Sequence, residues 1–107
     1  MSVYLDDNTQ AMLCIKSLLD ANQVDLALTA VSEFGCREGL DFLAYAFIAS
    51  VYTKHGKHLE AIQYDAILLS LEPNSPFALR SLQHNLTELG NVGAANNLDA
   101  IIRKNLN

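Results

Sequence analysis

The stretch "YTKHGKHLEAIQYDAILLSLEPNSP", Tyr52 to Pro76, sets a glycine between two histidines, runs into a long apolar segment and closes on two prolines. Two readings compete for its first half: HGKH is a pair of metal ligands, or Gly56 is the break between two helices. The rest of the chain decides. Written in rows of 34 residues, "NQVDLAL" (Asn22 to Leu28), "GKHLEAI" (Gly56 to Ile62) and "GNVGAAN" (Gly90 to Asn96) fall under one another. Asn22, Gly56 and Gly90 each follow an apolar-periodic segment, where a left-handed residue closes a helix and glycine or asparagine is favoured. Gly56 therefore reads as a helix terminator. A period of this length with two helical segments per row is the signature of stacked repeats, none of which buries its apolar face alone.

The periodicity places helices at 8–21, 24–34, 41–55, 58–71, 75–89 and 92–105. Asn74 or Ser75 is positioned to cap the fifth, with Pro76 in its first turn, where a missing N–H costs nothing. Asp7 or Asn8 has the same role for the first helix and Asp41 for the third. Leucine and alanine outnumber β-branched residues and tryptophan is absent, in keeping with an all-α chain.

The middle row, Phe42 to Ser75, resembles the tetratricopeptide repeat (TPR). Tyr45, Ile48, Ala49 and Tyr52 occupy the Trp-x-x-Leu-Gly-x-x-Tyr positions, with Ala61 and Pro73 in their places further on. Leu79, Leu82, Leu86, Gly90 and Ala95 correspond in the third row, and Ala11, Cys14, Ile15, Leu18 and Ala27 in the first. Asp65 and Asp99 depart from the pattern, standing where the family usually has an aromatic, with apolar Tyr64 and Leu98 one residue earlier; this implies a slightly rotated second helix. Row one replaces the closing proline with "FGCREGLD", which implies a junction of its own geometry. The resemblance implies one domain over 1–107 with repeats at about 8–41, 42–75 and 76–107. Its fold would be three TPR-like hairpins, six antiparallel helices in all, stacked as a short right-handed solenoid with a concave groove.

Twelve acidic against seven basic residues give a formal charge of −5, with no lysine or arginine run to neutralise phosphates, so nucleic acid is not an expected partner. "MSVYLDDNTQ" has no basic n-region, and no apolar run reaches bilayer length; a cytoplasmic location without membrane insertion is the expectation. Cys14 and Cys36, without a CxxC, read as reduced thiols in packed positions. His55 and His58 flank a turn with no third Cys or His nearby, and neither a phosphate loop, a nucleophile elbow nor an HExxH is present. No metal, cofactor or enzymatic activity is expected. The Asn85-Leu86-Thr87 sequon falls inside a helix and is given no weight.

In TPR proteins the first helix of each repeat lines the groove. Carried onto this register, the groove positions are Thr9, Met12, Leu13, Lys16 and Asp20; Leu43, Ala46, Phe47, Ser50 and Lys54; and Phe77, Arg80, Ser81, His84 and Glu88. Met12, Leu13, Leu43, Phe47 and Phe77 would form an apolar strip rimmed by Lys16, Lys54, Arg80 and His84, suited to the apolar face of an amphipathic helix. The ordered lysines and asparagines of carboxylate-clamping co-chaperones are missing. Leu98, Ile101 and Ile102 on the last helix are expected to need a cap, from a partner, a dimer interface or the N-terminal segment.

In size, architecture and groove character the chain resembles the small TPR-like chaperones of bacterial type III secretion, particularly those of the needle subunit. That resemblance implies a partner: the amphipathic helix of a needle subunit, gripped together with a small helical co-chaperone. The alternative from another class is a TPR scaffold acting through a homodimer or a larger assembly.

Overall fold

The computed structural model describes residues 6–105. Among them are six helices and no strand: α1 (Asp7–Asp20), α2 (Val24–Gly35), α3 (Phe42–Lys54), α4 (His58–Leu71), α5 (Pro76–Glu88) and α6 (Val92–Asn105). Each boundary lies within one residue of the position read from the sequence.

The turns explain that agreement. Asn22, Gly56 and Gly90 all have positive φ, at 62°, 75° and 83°. Behind each, the same pair of hydrogen bonds closes the helix. The Asn22, Gly56 and Gly90 N–H groups donate to the carbonyls of Leu19, Thr53 and Thr87, and those of Gln23, Lys57 and Asn91 donate to Leu18, Tyr52 and Leu86 at 2.8, 2.8 and 2.9 Å. These are Schellman-type closures, which satisfy orphan carbonyls and reverse the chain at once. Asn22 is the one non-glycine residue with positive φ among the described residues, in a conformation that asparagine tolerates best.

Helix starts are equally local. The carboxylate of Asp41 accepts from the Ala44 N–H (2.9 Å) and the Ser75 hydroxyl from the Ala78 N–H (3.3 Å). In α1 the cap is Asp6, not Asp7 or Asn8: its carboxylate accepts the Thr9 N–H and hydroxyl at 2.8 and 3.0 Å. Thr9 offers both of its donors to Asp6, and the cap stands one residue earlier in its row than Asp41 and Ser75 do in theirs.

Consecutive helices pack as neighbours, and in addition α3 touches both α1 and α5, whereas no backbone approach joins α2 to α4 or α4 to α6. Ala27, Ala61 and Ala95, at the same place in α2, α4 and α6, are all buried and let each pair of helices close. Phe34, Leu68 and Ile102, again at equivalent places, are buried in three successive apolar clusters: the first two link one hairpin to the next, and the third lies mainly within the α5–α6 hairpin. The radius of gyration, 15.1 Å, exceeds the roughly 13 Å of a rounded domain of this length, as expected when hairpins meet only their neighbours.

The cysteines do not occupy packed positions: Cys14 and Cys36 are both exposed. Ile48, the counterpart of Cys14 in α3, is buried in a cluster to which the preceding hairpin contributes Ile15, Ala27, Val31 and Phe34. No hairpin among the described residues lies on the corresponding side of α1. Cys36 caps α2, its thiol reaching the Ser32 carbonyl at 3.4 Å.

At the "FGCREGLD" junction, Arg37 stacks over Phe34 and reaches the Asp7 carbonyl and the Asn8 side chain. The Tyr64 hydroxyl bears directly on Gly35, so a Cβ there would overlap it, with the ring carbon Cζ at 3.0 Å. Gly35→Ala is therefore expected to lower stability by about 1–2 kcal/mol, overpacking outweighing the gain in helix propensity. Adding Tyr64→Phe should restore part of the loss in urea unfolding; a neutral Gly35→Ala would mean that this contact does not hold the junction.

Candidate functional site

Leu43, Phe47, Ser50 and Lys54 recur at spacings of four, three and four residues, which puts them on one face of α3. Toward the end of that face, Ser50, Thr53 and Lys54 meet Phe77, Arg80, Ser81 and His84 of α5 across a cleft of about 400 Å³. Its walls are largely apolar, and Phe77 remains 43% exposed. The ion pair found among the described residues joins Arg103 to Asp99 at 2.9 Å, so Lys54 and Arg80 stand over the cleft unneutralised.

Beneath the cleft lies a buried polar network. Asp65 of α4 and Asn85 of α5 are both fully buried. The Ser81 hydroxyl donates to one Asp65 oxygen at 2.7 Å and the Asn85 amide N–H to the other at 2.9 Å. A carboxylate cannot donate to an amide oxygen, so Asn85 turns its nitrogen to Asp65 and its oxygen away. That oxygen accepts from Thr53 at 3.2 Å and from His58 Nδ1 at 2.7 Å, which makes Nδ1 the protonated nitrogen of His58. The second amide hydrogen goes to the Thr53 hydroxyl at 3.1 Å. Asn85 thus spends its full bonding capacity tying α3, α4 and α5 together, and none of it is left on the surface for modification of the sequon. Burial pushes the Asp65 carboxyl above the usual range, and the bonds from Ser81 and Asn85 oppose that only in part.

Of the residues expected to form the groove, Ser50, Lys54, Phe77, Arg80 and His84 come together in this cleft. Met12 and Leu43 line a second one, about 390 Å³, with Asp6, Asp7, Asn8, Thr9 and Asp41. Phe47 lies between them along α3, half-buried against the first apolar cluster, as Met12 also is. Leu13 and Lys16 are exposed but line neither cleft. The apolar strip is consequently interrupted, with cations over one end and carboxylates at the other, and is not uniformly rimmed by basic residues.

The end-cap expectation needs a larger correction. Leu98 and Ile102 are buried, at 9% and 4% exposure, against Leu79, Leu82 and Leu86 of α5. Their own hairpin covers them; Ile101, one residue earlier, points outward at 50%. The two histidines of HGKH diverge, His55 Nδ1 bonding the Val51 carbonyl of its own helix while His58 turns to Asn85. No group of three or more metal-ligating side chains occurs among the described residues, and none of their helices is long and apolar enough to cross a membrane.

Thr53, Asp65 and Asn85 were not expected at this site, although a signal existed. One row earlier, Asp65 and Asn85 align with Val31 and Val51, both buried and apolar. Two core positions that turn polar in the same junction are a candidate hydrogen-bonded pair. No family model matches the chain, and no curated protein matches it either.

The network yields a pH-dependent prediction. The folded-state pKa of Asp65 is raised, so the folded protein holds this proton more tightly than the unfolded chain, and the Asp65 contribution to stability falls as pH rises from about 3.9 through the raised value. Asp65→Asn keeps an acceptor for Asn85 and a donor for Ser81; it should remove that pH-dependent loss. Asp65→Ala leaves both partners unsatisfied and should cost about 1–3 kcal/mol. Urea unfolding from pH 4 to pH 8 separates the cases: parallel curves for wild type and Asp65→Asn would show that Asp65 does not titrate in this range.

Proposed function

We propose that the chain is a protein-binding module of three TPR-like hairpins, a short right-handed solenoid whose concave side is built by α1, α3 and α5. The observation that carries this reading is the threefold recurrence of one turn, at Asn22, Gly56 and Gly90, together with the packing of α3 against α1 and α5. Close backbone approach among the odd-numbered helices, with side-chain contact alone (Tyr64 on Gly35) between α2 and α4, is in keeping with curvature toward the odd-numbered helices. The groove would take the apolar face of an amphipathic helix, with Phe77 as an exposed aromatic anchor.

Within that class the best reading is a cytoplasmic type III secretion chaperone that holds a needle or other secreted subunit, burying the apolar face that would otherwise nucleate assembly. The apolar cleft with its exposed Phe77 supports it. The scaffold alternative draws less support, because Leu98 and Ile102 are already covered within the chain and leave Ile101 as the exposed member of that group.

The test is affinity purification from the native host with the complex sized by light scattering. A stoichiometric complex with a small helical secretion subunit is expected; recovery of the homodimer alone would overturn the chaperone reading. Phe77→Asp should abolish capture and leave the helical circular dichroism intact, since Phe77 is exposed. Phe47→Asp, which strikes a side chain packed on the first apolar cluster, should instead destabilise the fold by a few kcal/mol. Unchanged capture by Phe77→Asp would remove the α3–α5 cleft from the binding surface.

A further inference from the structure

Charge along the α3 face is divided, and the division constrains the occupant. At one end Lys54 and Arg80, joined by His84, border apolar walls with no carboxylate in ion-pair reach. At the other, Met12 and Leu43 sit among Asp6, Asp7 and Asp41. Two of these carboxylates cap helices, but capping does not discharge them: the Thr9 N–H and hydroxyl hold Asp6 below the usual carboxylate range. Arg37 is the cation closest by bonding, and it engages the Asp7 main-chain oxygen and Asn8, not a carboxylate. Leu43, Phe47, Ser50 and Lys54 run from one end to the other on one face of α3, a span of about 16 Å.

We propose that this face receives an amphipathic helix of about three turns whose apolar stripe is bordered by acidic residues at one end and by basic residues at the other. The inference rests on the helix-in-groove reading and adds the charge order of the partner. A uniformly acidic helix meets Lys54 and Arg80 favourably and the three aspartates unfavourably; a uniformly basic helix does the reverse. The polarised helix alone satisfies both ends, and because each end is solvent-exposed the effect is modest per pair and sensitive to salt.

Three synthetic helical peptides with one shared leucine and phenylalanine stripe test this by fluorescence anisotropy at low and high salt. One carries lysines at one end and glutamates at the other, one glutamates at both ends, one lysines at both. The polarised peptide is expected to bind wild type roughly five- to tenfold more tightly than either uniform peptide at low salt, with the difference shrinking as salt rises. Lys54→Glu with Arg80→Glu, both exposed positions, should reverse the order so that the all-lysine peptide binds best. Equal affinity of the three peptides overturns the charge inference and leaves the helix-binding reading standing, whereas failure of all three to bind overturns both. Light scattering on the peptide-free protein adds one more arm: a stable dimer that no peptide displaces would make a second copy the occupant and sink the proposal.

Discussion

The left-handed residue that closes every hairpin is the constraint on which the other features depend. A helix that ended one residue later would rotate the following helix by about 100°, because that is the angular step per residue. The alanine at 27, 61 or 95 would then leave the contact line, and larger side chains would hold the two helices apart. Positive φ at Asn22, Gly56 and Gly90 prevents this at the same place three times. Equivalent closures give equivalent hairpins, and equivalent hairpins bury equivalent positions: Phe34, Leu68 and Ile102 are each buried in the apolar cluster beside their own helix. The order of causes runs from a turn of two hydrogen bonds to the whole stack.

The middle and third hairpins add a second kind of constraint. An apolar junction tolerates some sliding, since leucine and alanine contacts are non-directional. The Asp65–Ser81–Asn85–Thr53–His58 set is directional, and each member has a specific partner on another helix or at its start. A slip of α5 by one residue would strand a buried carboxylate and a buried amide together. Such networks contribute less to net stability than to uniqueness, because desolvation of Asp65 offsets much of what its hydrogen bonds supply. Placed directly under the cleft, this one ties the α3 and α5 walls together through Thr53 and Asn85 and anchors Ser81 to Asp65 of α4.

The boundaries of α1, α3 and α5 were legible in the sequence because caps and closures are local chemistry: glycine or asparagine after the last turn, aspartate or serine before the first. Exposure was less legible, since it depends on what stands beside a position. Cys14 shares its repeat position with buried Ile48 yet lies open, having no preceding hairpin among the described residues, while Leu98 and Ile102 are covered by α5 and need no external cap. The candidate site was half legible. The repeat resemblance implied that Lys54, Phe77, Arg80 and His84 lie on facing helices, but two of the aspartates at the other end of the α3 face, Asp6 and Asp41, entered through helix capping, a role unrelated to a binding surface. The Asp65–Asn85 bond spans twenty residues (85 − 65) and is visible in sequence only as two simultaneous departures from apolar positions.

Opposite charges at the two ends of the α3 face would have a physical consequence beyond attraction. Each exposed charge pair contributes little at physiological salt, so the apolar cleft and Phe77 would supply most of the affinity. Charge then acts mainly through exclusion: a helix with the wrong sign at either end leaves like charges facing one another, and shifting along the groove to escape one clash creates the other. For the proposed helix, register and partner choice would therefore be coupled to the same few side chains. A chain with a formal charge of −5 that keeps Lys54 and Arg80 free of carboxylates would hold a local attraction for acidic groups at that end of the α3 face against the net repulsion of the whole.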